Sequence, residues 1–135
     1  MGLDVGDKTI GVALSDPMFL IANPLETIKR KKASLDIARL VEIINEYDVE
    51  TIVVGLPKNM NNSIGPQSMK VMSFVDLLKK LTDKEIIYQD ERMTTLQSER
   101  VLIDMDVRRE NRKEHIDKIA ASFILQTYLD GRKNG

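Results

Sequence analysis

The run Thr51-Ile-Val-Val54 constrains this chain more than any other segment. It is β-branched throughout and has no polar interruption. Such a run reads as a strand buried on both faces, as in sheets covered by helices. The segments around it supply those helices. Upstream, Ile37, Leu40, Val41 and Ile44 fall at i, i+3, i+4 and i+7, one apolar face. Ser34 is a candidate N-cap, and the helix should stop near Asp48. Downstream, a helix is expected from about Gln67 to Leu81, with Val71, Phe74, Val75 and Leu78 on one face. Glu85-Ile-Ile-Tyr-Gln89 is a further short strand.

The chain opens differently. Residues 2–14 read as two short strands around a turn at Gly6-Asp7-Lys8-Thr9, a hairpin pattern. Pro17 ends the second strand. Residues 24–29 are a third strand, with Leu25 and Thr27 facing opposite to Glu26 and Ile28. Near the carboxyl end, Thr94 and Gln97 have capping-box spacing and start a helix. Residues 104–113 lack an apolar period and read as a mobile basic loop. The last helix is expected from about Glu114 to Leu129, with Ile116, Ile119, Ala120 and Phe123 as its stripe and Gly131 as its C-cap. The order β-β-β-α-β-α-β-α-α indicates an α/β fold: antiparallel strands first, then parallel strands in a mixed sheet packed with helices. At 135 residues the chain has the length of one domain, 1–135.

Composition narrows the chemistry. There is no cysteine and one histidine, so thiolate sites are excluded and carboxylates become the candidate metal ligands. Carboxylates favour hard ions such as magnesium or manganese. Net charge is -1, so polyanion binding would rest on local basic patches at 29–32, 108–109 and 112–113. Those same clusters also suit a solvated surface. No apolar run approaches the ~18 residues that span a membrane, and no signal peptide is visible, so a cytoplasmic protein is expected.

Acids recur at strand ends. Asp4 interrupts a strand otherwise built from Leu3 and Val5, and Asp90 and Glu91 close the strand of Ile86 and Ile87. An acid inside an apolar strand is costly unless paired or bound to a metal. Sites in open α/β sheets collect at the carboxyl ends of parallel strands. Asp117 shares a helical row with Ala121, Ile124 and Tyr128, so it borders a buried face. Clustered carboxylates raise each other's pKa unless a cation neutralises them. Two metal ions ~4 Å apart can activate water and stabilise a leaving oxygen in phosphoryl chemistry. Blander readings stand beside these: a turn-forming Asp4 next to Gly6, and an Asp117 favoured by the helix dipole. His115, two residues before Asp117, is either an acid–base helper or a plain surface histidine. The loop Gly55–Pro66 could approach phosphates through its glycines and amides, or simply connect two elements.

These motifs resemble a known family. Gly2-Leu-Asp-Val-Gly-Asp-Lys-Thr-Ile-Gly-Val-Ala-Leu-Ser-Asp16 is similar to the opening of the YqgF/RuvX family of Holliday junction resolvases. Gly55-Leu-Pro-Lys-Asn-Met-Asn, Asp90-Glu-Arg-Met-Thr-Thr95 and Ile116-Asp-Lys-Ile-Ala-Ala121 resemble its later motifs, in the right order and spacing. The likeness runs from Gly2 to Leu129. Similar proteins carry a few residues before the Gly-Leu-Asp motif, which here follows Met1 directly.

The resemblance implies a ribonuclease-H-like fold with helices on both faces of the sheet. It implies a metal-dependent nuclease whose acids are Asp4, Asp117 and one of Asp90 and Glu91. Neighbouring strand residues face opposite ways, and Glu91 is the favoured one. Magnesium or manganese is the implied cofactor. Ribosomal RNA precursor or branched DNA is the implied partner, the family being connected with the 5′ end of small-subunit ribosomal RNA. Junction cutting would call for a homodimer, since it needs two coordinated cuts. Two other classes compete: a non-catalytic RNA-binding module, and an actin-like phosphate-binding lobe, which also begins Asp-x-Gly before a hairpin.

Overall fold

The structure, a computed structural model, describes residues 1–57, 65–90 and 109–134, with side chains in the last stretch described for 116–132. Five strands form one sheet: β1 (Gly2–Val5), β2 (Thr9–Ser15), β3 (Ala22–Lys29), β4 (Thr51–Leu56) and β5 (Glu85–Asp90). Their order is β3-β2-β1-β4-β5. β1 pairs antiparallel with β2, and β2 with β3, whereas β1–β4 and β4–β5 are parallel. The expected change from antiparallel to parallel pairing therefore occurs at β1. The described helices are α1 (Ala33–Glu46), α2 (Pro66–Lys79) and α3 (Arg109–Asn134).

Strand alternation divides the core in two. On one face Leu3, Val5, Ile10, Val12, Ile52 and Val54 pack with Ile37, Leu40, Ile43 and Ile44 of α1 and with Val71, Phe74, Val75 and Leu78 of α2. On the other face Ala13 and Val53 pack with Ala121, Ile124, Leu125 and Leu129 of α3. β4 is thus covered on both sides, as its unbroken β-branched run requires. Each such Val or Ile contributes about 1.5–3 kcal/mol on full burial.

The face under α3 is thin because β1 and β2 present small residues there. A Cβ on Gly2 would lie 2.7 Å from the Ala121 carbonyl oxygen, and one on Gly11 would lie 1.9 Å from that of Asp117. Only glycine leaves room for the helix backbone at these two points.

Four details depart from the sequence reading. Leu25 and Ile28 both pack against the α1–α2 core, because a bulge between β2 and β3 shifts the register at Val12/Ala13 and offsets the simple alternation. The N-cap of α1 is Lys32, not Ser34, and it makes no side-chain cap. Instead buried Asp36 reaches back from the first turn to accept the Lys31 N–H at 3.1 Å. Residues 109–113 belong to α3, which starts five residues before Glu114, so they are helical and not part of a loop. Gly131 is inside α3 and not its C-cap: no glycine among the described residues has positive φ. The expectations for 104–108, for the helix at Thr94 and for most of the 55–66 loop lie outside the described residues.

Candidate metal centre

Asp4 lies in the central strand between Leu3 and Val5, which are 0% and 5% exposed. It is partly buried itself. Gly2 and Asp4 share the face that α3 covers, while Leu3 and Val5 face α1 and α2. Across the ladder Asp4 is paired with Gly11. Directly opposed residues in an antiparallel pair present the same face. Asp4 therefore stands beside the point where the α3 backbone touches the sheet, and the residue at that point is Asp117.

Thr9, two residues before Gly11, lies on that face as well. Its hydroxyl donates a hydrogen bond to Oδ2 of Asp117. Below Asp117 on the helix, Ala121 and Ile124 are buried, and Tyr128 packs on the same cluster. The apolar row expected from the sequence anchors the helix, and Asp117 stands at its edge. Asp4, Thr9 and the backbone of Asp117 thus lie on one face of the sheet near the carboxyl end of β1, the end at which open α/β sheets place their sites.

Asp90 is placed elsewhere. It ends β5, is exposed, and has Leu56 as its register partner. Tyr88 and Ile86, two and four residues back, pack on the α1–α2 core, as does Leu56. By alternation Asp90 faces that side, opposite to Asp4. The Tyr88 hydroxyl on this side has its pKa pushed up, first by burial and then by the Asp76 carboxylate. Among the described residues no three His, Asp or Glu side chains form a group able to hold a metal ion, so Asp90 does not complete a triad with Asp4 and Asp117. Glu91 and the His115 side chain lie outside the described residues.

Sequence reasoning missed Thr9 and misread Arg30. Arg30 belongs to the 29–32 cluster considered for phosphate contact. Its guanidinium instead donates to the Gly6 carbonyl at 2.8 Å and to Asp36 at 3.3 Å, and sits 5.0 Å above the Phe74 ring. Its backbone N–H bonds the Lys8 carbonyl at 2.9 Å. Arg30 locks the β1–β2 turn onto the helical core. A cavity of about 560 Å³ lined by Ser15, Phe19, Tyr47 and Glu85 opens at the other end of the sheet, away from these acids.

A sheet of this order and pairing, with an acid on its central strand and another on the helix crossing it, defines a ribonuclease-H-like domain. Solved structures agree on the fold. RuvC of T. thermophilus, determined in complex with a Holliday junction substrate, superposes with a TM-score of 0.61 at 16% identity, over 98% of this chain and 94% of that one. A fowlpox virus resolvase with junction DNA gives 0.55 at 15%, over 97% and 96%. The chain belongs to the RuvX family, described as Holliday junction resolvase, whose model matches residues 1–131. Relatives in Thermoanaerobacter pseudethanolicus and Clostridium tetani are 58% and 54% identical, each over 99% of this chain and 97% of their own length. Both are named as candidate pre-16S rRNA nucleases. No described helix is long and apolar enough to cross a membrane.

Proposed function

We propose that this chain is a divalent-metal-dependent nuclease of the cytoplasm that hydrolyses a phosphodiester near the 5′ end of small-subunit ribosomal RNA precursor. The observation that supports the reading is that Asp4 and Asp117 belong to the same helix-covered face of the sheet, in a family described as resolvases. The donor set suits the metal: oxygen ligands with no cysteine in the chain favour Mg2+ or Mn2+ over softer ions. Asp4, Asp117 and Glu91 would hold it, and the facing of Asp90 toward the α1–α2 side supports Glu91 over Asp90 as the third acid. When bound, such ions activate water and stabilise the leaving oxygen.

The chain's own residues set the geometry. Asp4 is held by a strand hydrogen-bonded on both edges, so its position is fixed before any ligand arrives. Thr9 fixes one oxygen of Asp117. Gly11 lets the helix carrying that carboxylate come down to the sheet.

The names of the sequence relatives favour ribosomal RNA precursor, and the family description favours junction DNA. RNA end processing needs one cut, whereas junction resolution needs two and hence a homodimer. The test compares both substrates with one preparation, with and without Mg2+ or Mn2+, and with Asp4→Asn as control. Metal-dependent cleavage of the RNA that Asp4→Asn abolishes is the expected result. Cleavage of the junction alone would move the assignment to branched DNA. RNA binding without cleavage under any metal would make the chain a non-catalytic module.

A further inference from the structure

We propose that Thr9 is a positioning residue: its hydroxyl holds the Asp117 carboxylate in the rotamer that receives the metal. This rests on the reading of Asp117 as a metal ligand.

Three observations carry it. The Thr9 hydroxyl donates to Oδ2 of Asp117 across 108 positions of sequence, joining β2 to α3 at the acid itself. That bond occupies one carboxylate oxygen and leaves Oδ1 for another partner. Thr9 is also held more firmly than a turn residue needs to be. Its carbonyl accepts the Gly6 N–H at 2.8 Å, and the neighbouring Gly6 and Lys8 carbonyls are both taken by Arg30. Arg30 is fixed in turn by buried Asp36 and by the Phe74 ring. A continuous path therefore runs from the α1–α2 core, through Arg30 and the turn, to the oxygen of Asp117.

A carboxylate on a helix has several rotamers open to it. Without a donor at Thr9, Asp117 would have to give up that freedom when the metal binds. Outer partners that orient a ligand typically change metal affinity by about 10- to 100-fold.

The test measures binding of Mn2+ alone, by electron paramagnetic resonance titration, with thermal melting of the metal-free protein alongside. Four variants are compared: Thr9→Val, which keeps the shape and removes the donor; Thr9→Ser, which restores it; Asp117→Asn; and the Thr9→Val/Asp117→Asn double variant. Thr9→Val should weaken Mn2+ binding about 10-fold or more, Thr9→Ser should restore it to within about threefold, and the double variant should bind no worse than Asp117→Asn. If Asp117→Asn itself leaves Mn2+ binding unchanged, the metal-centre reading fails. If Asp117→Asn abolishes binding but Thr9→Val only lowers the melting temperature, Thr9 merely staples α3 to the turn and the proposal is overturned. If Thr9→Val does not fold, Thr9→Ser decides: a loss of binding there overturns the proposal, since the donor is still present.

Discussion

Gly11→Ala should separate α3 from the sheet at the acid it carries. An alanine Cβ at this position would lie 1.9 Å from the carbonyl oxygen of Asp117, 2.2 Å from its carbonyl carbon and 2.8 Å from the nitrogen of Lys118. All three are helix backbone, so no side-chain rotation relieves the clash. Ordinary contact needs roughly 3.5 Å, so the helix must rise by about 1.5 Å. Overpacking of this kind costs about 1–3 kcal/mol, and the absence of a flexible neighbour puts Gly11→Ala at the upper end. For a domain of this size ~3 kcal/mol lowers Tm by roughly 10 °C. The rise also pulls Asp117 off the Thr9 hydroxyl, so Mn2+ binding should fall along with stability. Thermal melting and Mn2+ titration of the same sample check both effects. A Gly11→Ala protein with unchanged Tm and unchanged Mn2+ affinity would falsify the close approach of helix and sheet.

The same substitution at Gly131 should act in the opposite direction. It is helical with nothing within 4 Å of an added Cβ, so Gly131→Ala should stabilise by about 0.5 kcal/mol, read as a small rise in Tm. Millimolar Mg2+ or Mn2+ should raise the Tm of the wild type by relieving carboxylate repulsion, and Asp4→Asn should show a much smaller response. Arg30→Gln should destabilise the fold by about 1–3 kcal/mol, since it leaves the buried Asp36 carboxylate without its charged partner. In RNA binding, however, its log–log salt slope should stay that of the wild type, because Arg30 is spent on Gly6, Asp36 and Phe74 and not on phosphate. Asp16 has its pKa lowered from 3.8, chiefly by the Ile21 N–H and then by those of Leu20 and Met18. A folded pKa below the unfolded one contributes stability above the unfolded value and loses it as pH falls through the folded value. The stability difference between wild type and Asp16→Asn should therefore shrink as pH is lowered below 3.8, in melts recorded across that range.

Much of this architecture was legible because burial leaves periodic traces. The β4 run and the 3.6-residue stripes of α1 and α2 each marked a face that later proved to be packed. The start of α3 left no such trace: residues 109–113 are Arg-Glu-Asn-Arg-Lys, a polar stretch with no apolar member to set a phase. The bulge at Leu25 was equally silent, since one inserted residue inverts alternation without changing composition. At the site, Asp4 stood out because a charge in an apolar strand needs a partner. Thr9 did not, because threonine in a strand has an ordinary explanation. Its role depends on which helix crosses above it, and only the tertiary fold decides that.

The length of α3 gives the glycine contact a further consequence. From Asp117 to Leu129 the helix runs about 18 Å at 1.5 Å per residue. Its far end is clamped by Leu125 and Leu129 against Val53 and Ala13. Anything that lifts the Asp117 end by ~1.5 Å while the clamp holds tilts the axis by only about 5°. The helix is a lever with its pivot in the apolar cluster and its load at the acid. Enlarging a residue near the pivot, Ala13→Val for example, would swing Asp117 relative to Asp4 without touching either one. On the proposed metal-centre reading, the spacing of the two carboxylates, and with it the preference between a smaller and a larger ion, would then be set in part from within the apolar cluster.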